Sequence, residues 1–335
     1  GVINMNKYKK IGLTALAASL VSVSAQAGEM SVSGGASMTM EGYTGEKLNK
    51  GSGFSMGNQI TFAGSGELDN GMTVSLSFTL DQNDDSTTSA AALYTGGPFD
   101  GHSVSVSSDA LGTLKFAGEG GSSAASSIDT TAAGDIWDTF DGSRGTQNGT
   151  TGVAVKDSGP GDNSIFYTLP SMVDGLAVNL SYQPQGSGRE SATGYGFAYT
   201  GVDGLTAKWA TTDEAGTSAA LSGDQTVYSL SYAYGPVTAS LSNADYDDDT
   251  ASSDQETSSY AISYTVTDDI SVTYGSETIE KESDTDDAEY SIIKAAYTSG
   301  GMTITATMKD AENIAHGTGI AEDLEYWSVG ASFAF

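Results

Sequence analysis

Carboxylates are the chemistry this chain has in quantity. It carries 43 Asp and Glu against 13 Lys and Arg, with two His and no Cys, for a formal net charge of -30. Without Cys there are no disulfides, thiol catalysis or Cys-ligated metals. His102 and His316 are too few for a His-based metal site. Four acids, Asp129, Asp135, Asp138 and Asp141, lie in one stretch and interleave with Trp137 and Phe140. Fixed carboxylates in such a run can act on passing cations, and the aromatic pair can anchor the run to a wall. A second run, Asp247-Asp248-Asp249, offers closely spaced oxygens that make it a weak calcium candidate. It lacks the glycine and terminal glutamate of an EF-hand, and a solvated external loop is the stronger reading. Ser and Asp are spread everywhere, with no nucleophile–base–orienter set. The one catalytic alternative would pair His316 with a nearby Ser, and an enzyme is not expected. So few bases leave no basic patch for nucleic acid.

The elements that position these residues are strands. Met72, Val74, Leu76, Phe78 and Leu80 alternate with Thr and Ser, and Tyr228, Leu230, Tyr232 and Tyr234 alternate with Ser and Ala. Tyr260, Ile262, Tyr264 and Val266 repeat the pattern, as do Trp327, Val329, Ala331, Phe333 and Phe335. Period-two amphipathicity is the signature of a strand with unlike faces. About 16 such segments follow one another between 28 and 335. On the polar parity stand Lys115, Lys208 and Lys309. Lys294 is ambiguous, because Ile292 and Ile293 break the alternation and suggest a bulge there.

Ahead of the strands, residues 1–4 read as an upstream remnant and 5–27 as a secretory signal peptide. Lys7, Lys9 and Lys10 precede an apolar run over 11–23, which ends in Ala25-Gln26-Ala27. A basic start, a short apolar core and a small-x-small site are what export and cleavage require. The run is too short for a comfortable membrane-spanning helix.

Connections alternate between short turns, such as Asp69-Asn70-Gly71 and Val202-Asp203-Gly204, and longer stretches. Seven are short and eight are long, and the longest covers 119–161. A soluble sandwich imposes no such rhythm. A transmembrane barrel does, with short periplasmic turns, long external loops and an even strand number. The predicted fold is therefore an all-β, transmembrane, antiparallel up-and-down β-barrel of about 16 strands, forming one domain over 28–335.

In these features the chain resembles the Gram-negative general porins, specifically the 16-stranded alphaproteobacterial type. The resemblance rests on architecture and on the aromatic final strand. It implies an outer-membrane homotrimer, each barrel holding a water-filled channel for small hydrophilic solutes and ions. It implies that the third external loop, 119–161, folds inward and narrows the pore. Asp129, Asp135, Asp138 and Asp141 are then the expected acidic side of the constriction. Lys115, Lys208 and Lys309 are the expected basic wall, and Trp137 and Phe140 the loop anchors. Trp327, Phe333 and Phe335 are expected to be read by the barrel assembly machinery. The ten bases outside the leader are too few for the strong arginine cluster of that family. The acid excess predicts cation preference. A solute-specific channel with a binding site and a structural or adhesive surface barrel are the alternatives. No cofactor is expected beyond calcium on the external acidic loops.

Overall fold

The computed structural model describes residues 30–44, 52–81, 100–141, 152–158, 163–184, 191–214, 223–250, 252–316 and 323–335. The leader expected at 5–27 lies outside the described residues.

Strands β1 (Met30–Thr44), β2 (Ser52–Glu67), β3 (Thr73–Asp81) and β4 (Gly101–Ser108) open the sheet. Strands β5 (Gly112–Glu119), β6 (Ser164–Thr168), β7 (Leu176–Gln183) and β8 (Ala192–Tyr199) continue it. Strands β9 (Leu205–Glu214), β10 (Gly223–Tyr234), β11 (Val237–Asp248) and β12 (Gln255–Thr267) follow. The last four are β13 (Ile270–Lys281), β14 (Ala288–Ser299), β15 (Met302–Glu312) and β16 (Leu324–Ala334). Each strand pairs antiparallel with its sequence neighbours, and β16 returns to β1, which closes the barrel. Closure satisfies the backbone of both edge strands, the condition for a sheet to sit in hydrocarbon.

The seam is tight at its end. The amide of Gly34 donates to the Phe335 carbonyl at 3.0 Å, and the Phe335 amide donates back to the Gly34 carbonyl at 3.0 Å. From there the register runs unbroken from Gly35–Ala334 to Thr44–Glu325.

Alternation sorts the side chains as the sequence predicts. Outward positions carry exposed apolar residues such as Leu230, Tyr260, Ile262, Val272 and Val329. Tyr182, Tyr199, Tyr234 and Tyr297 share this outward parity, as a girdle at the edges of the lipid band requires. Inward positions are Ser, Thr, Ala and Gly over much of the wall. Outward Asp and Glu gather at the long-loop ends of β9 to β16, where Glu256 stands opposite both Asp245 and Glu280.

The expected bulge at Ile292–Ile293 is absent. Pairing is continuous there, and the register shifts lie at Thr265/Thr267 and His102/Ser103. Ile292 points into the lumen and is buried, while Ile293 is exposed on the outer face. The apolar–polar rhythm fails because the inner wall is itself apolar at this point. Lys294 therefore shares the lumen parity of Ile292.

Candidate functional site: the lumen and its inward loop

The long connection after β5 does not stay outside the barrel. Its outgoing limb, 120–141, runs along the inner wall from β7 round to β1, and each step is tied by a hydrogen bond. The amides of Ala124 and Ala125 donate to Ser181 Oγ and Thr212 Oγ1 at 2.8 and 2.9 Å. Ser242 Oγ donates to the Asp129 carbonyl at 2.8 Å, and the Ala132 amide donates to Ser259 Oγ at 2.6 Å. The Trp137 amide donates to Glu277 Oε2 at 3.1 Å. Last, Tyr43 OH donates to the Thr139 carbonyl at 2.7 Å. Loop backbone cannot reach water on its wall side, so these side chains supply the partners it would otherwise lack.

Two apolar pads reinforce the path. Ala124, Ala125 and Ile128 pack on Ala210, Val227 and Ala244. Further along, Ile136 and Phe140, both fully buried, pack on Ile279, Tyr290, Ile292 and Tyr326. Phe140 stacks on Tyr290 with ring centroids 5.9 Å apart. Trp137 packs beside this pad, half-buried. The wall leaves room for the loop. A Cβ on Gly275 would fall 2.6 Å from the Ala133 Cβ.

The returning limb, 152–158, is held by two buried glutamines. Gln225 accepts the Ser158 amide at 2.8 Å and donates to the Lys156 carbonyl at 3.3 Å. Gln255 accepts the Lys156 amide at 2.5 Å and donates to the Ala154 carbonyl at 3.1 Å. Each amide thus copies the donor–acceptor pair of a neighbouring strand. The Lys156 ammonium meets Asp248 Oδ2 at 2.5 Å.

Asp129, Asp135 and Asp138 are exposed on the loop's free side, towards the lumen. The first two are linked through one residue. Asp129 Oδ1 accepts the Thr131 amide at 3.0 Å, and Thr131 Oγ1 donates to Asp135 Oδ1 at 2.9 Å. Partial burial is the main cause that raises the Asp129 pKa above its ordinary value, with the Asp135 charge adding to it. Hydrogen bonds from Thr131 and the charge of Lys208 oppose the rise. Asp141 is half-buried at the loop's turn and bridges to Gly152.

The three lysines do not form one cluster. Lys115 stands on the lumen face of β5, between Ser105 and Phe166. Lys208 stands on β9, between Ala198 and Ser229. Lys309 lies beneath the loop tip, where its ammonium donates to Thr139 Oγ1 at 2.5 Å. It clamps the loop from behind rather than facing it across the lumen. The part of the wall that the described residues of the loop leave open, on β2 to β4, is lined by Ser65, Ser75, Ser77, Ser103 and Ser105.

The calcium candidates diverge. Neighbouring strand residues face opposite ways, so Asp247 points outward and Asp248 inward to Lys156. Among the described residues no group of three or more His, Cys, Asp or Glu converges as a metal site. His102 sits on the outer parity beside Glu119, 3.9 Å away. His316 is buried and joins two loops through Asp286 O at 2.9 Å.

The sequence reading missed Glu277, Gln225 and Gln255. The signal was present, since each is a long polar side chain on the lumen parity among Ser, Thr and Ala. Its meaning depends on the loop that lies over it.

A closed sheet with an apolar exterior, a polar interior and a loop stitched across its bore defines an outer-membrane channel protein. A family profile described as Gram-negative porin matches residues 12–335, and the chain belongs to that family. Among solved structures, a porin refined at 1.8 Å resolution aligns with a TM-score of 0.63 at 17% identity, covering 92% of this chain and all of that one. A mutant of Rh. blastica porin that carries two introduced tryptophans aligns at 0.59 with 18% identity, covering 92% of this chain and all of that one. A structure described as "Asymmetric conductivity of engineered proteins" aligns at 0.60 with 19% identity, with the same coverage of 92% and 100%. At such identities the likeness concerns the fold. A search of curated proteins finds no match.

Proposed function

We propose that this porin passes small hydrophilic solutes and ions by passive diffusion and prefers cations. The supporting observation is an asymmetry of charge. Asp129, Asp135 and Asp138 lie on the lumen side of the loop, while the open wall carries Ser side chains and, among its described residues, Lys115 as its cation. Screening acts over about 8 Å at physiological salt, so charges lining a narrow bore act across much of its width. An acidic loop facing a wall of hydroxyls with a single described lysine draws cations in and repels anions.

The same barrel has an outer face suited to a second copy. Outward positions of β1 and β2 carry Met30, Met38, Met40, Phe54 and Met56, all exposed. No Tyr occupies an outward position of β1 to β5 among the described residues. The opposite side presents Tyr195, Tyr228, Tyr260, Tyr264 and Tyr274 outward. Tyrosine belongs at the lipid headgroups, and methionine is common in protein contacts. This supports a homotrimer built on the β1–β2 side.

Reversal potential in a salt gradient tests the reading. Purified trimers in a planar bilayer are expected to show stepwise conductance with a potential of cation-selective sign. Anion selectivity, or folded trimers that conduct nothing, would overturn it.

A further inference from the structure

Strand β8 has an unusual inner face. Its lumen positions are Ala192, Gly194, Gly196 and Ala198, so no side chain there extends beyond Cβ. A Cβ on Gly196 would fall 2.5 Å from the Ala210 Cβ, so the neighbouring strand already fills that space. The result is a flat floor, flanked by taller residues on β6, β7 and β9. The first limb of the loop roofs it with Ala124 and Ile128. Between floor and roof lies a recess of about 340 Å³. That is at the lower end of the range, about 300–1,000 Å³, typical of small-molecule sites.

The recess has both apolar and charged ends. Phe166 and Ile128 offer apolar surface. Thr168 Oγ1 donates to Asn179 Oδ1 at 2.9 Å, which orients the amide and leaves its nitrogen without a partner among the described residues. Lys208 lines the recess, and its ammonium makes no hydrogen bond or ion pair among the described residues. Asp129 is the next residue after Ile128, just beyond the roof; it is exposed and feels the Lys208 charge without forming an ion pair with it. A cation lining the recess and a carboxylate one residue beyond its roof, without an ion pair between them, form a dipole that a ligand of opposite arrangement can complete.

We propose that this recess is a subsite for small zwitterions with an apolar side chain, the chemistry of an α-amino acid such as leucine. The carboxylate meets Lys208 and the Asn179 amide, the side chain lies against Phe166 and Ile128, and the ammonium turns to Asp129. Net charge favours this class over simple anions. The acidic loop repels an anion, whereas a zwitterion carries no net charge and gains from both ends of the dipole. Binding must stay weak, since a site that holds its solute stops the flux through it. The inference rests on the channel reading above and narrows what the channel favours.

The test titrates L-leucine against wild-type trimers in a planar bilayer and reads the open-channel current. A saturable fall in current is expected. Isoamylamine, which lacks the carboxylate, and 4-methylpentanoate, which lacks the ammonium, should each be weaker by about tenfold, the loss of one charged hydrogen bond. Lys208→Gln should weaken leucine by a similar factor, read against that variant's own open current. Ala198→Leu, which fills the floor, should remove the saturation and serves as a second variant if the first fails to assemble. A linear dependence on leucine, equal effects of the two analogues and leucine, or an unchanged half-effect in folded variants would overturn the subsite. Barrels that conduct no salt overturn the channel reading and the subsite with it. Conducting barrels without saturation overturn the subsite alone.

Discussion

The Trp137 amide donates to Glu277 Oε2 at 3.1 Å, and this bond joins the tip of the inward loop to the wall of the barrel. Glu277 is fully buried. Replacing it with Ala leaves a loop amide without its partner, at a cost of about 1–3 kcal/mol. Glu277→Ala is therefore expected to lower the thermal transition of the trimer and to raise single-channel current noise. Glu277→Gln, which keeps an accepting oxygen, should lie between it and the wild type. Equal noise and stability in all three would show that the loop does not depend on this contact.

Gly275 gives the loop its clearance. A Cβ there would fall 2.6 Å from that of Ala133, so Gly275→Val must push the loop off its wall. Overpacking of this kind costs about 1–3 kcal/mol. Chemical unfolding should show that loss, and single-channel conductance should change as the constriction is reshaped. The loop position would be judged insensitive to the wall if conductance stays at the wild-type level in folded trimers.

Neutralising the loop should move selectivity. Asp129→Asn with Asp135→Asn is expected to shift the reversal potential towards zero, more than either change alone. Asp129 also sets a pH response. Its folded pKa is above its ordinary value, so on acidification it takes up a proton before the unfolded chain would. Falling pH through that raised value thus favours the folded loop slightly and removes one negative charge from the bore. Cation preference should begin to drop while ordinary carboxylates are still ionised, and Asp129→Asn should lessen that early drop.

Glu256 faces Asp245 and Glu280 across the strands, while Asn243 Nδ2 donates to its Oε1 at 2.7 Å. Like charges directly opposite are destabilising by about 0.2–1 kcal/mol. Glu256→Gln keeps the carbonyl that accepts from Asn243 and removes the repulsion. A higher thermal transition is expected at low salt, with the gain shrinking as added NaCl screens the wild type.

The seam predicts an assembly defect. Phe335 exchanges two backbone hydrogen bonds with Gly34, so deleting it opens the last rung between β16 and β1. The yield of folded, membrane-inserted barrels should fall sharply, while conductance of those that form should change little. A normal yield would deny the seam its role.

The strand pattern was legible in the sequence because alternation reflects a simple demand. A strand between lipid and water must place apolar residues on one side, and Tyr260, Ile262 and Tyr264 state that side without any knowledge of neighbours. The turn chemistry of Asp69-Asn70-Gly71 and its counterparts is equally local. The concentration of acids within 119–161 could also be seen directly. What could not be read was any fact that depends on the loop's path. Ile292 breaks the polar parity because Ile136 and Phe140 come to rest on that pad, over 150 residues away in sequence. Lys309 looks like a free lumen cation until Thr139 is placed above it. Glu277, Gln225 and Gln255 look like ordinary lumen polar residues until loop amides reach them. Which face of each strand meets lipid follows from the order of residues alone, since that choice is made residue by residue by solvent. Which inner residues meet water and which meet the loop emerges only in the folded barrel, because that choice is made by contacts between distant segments.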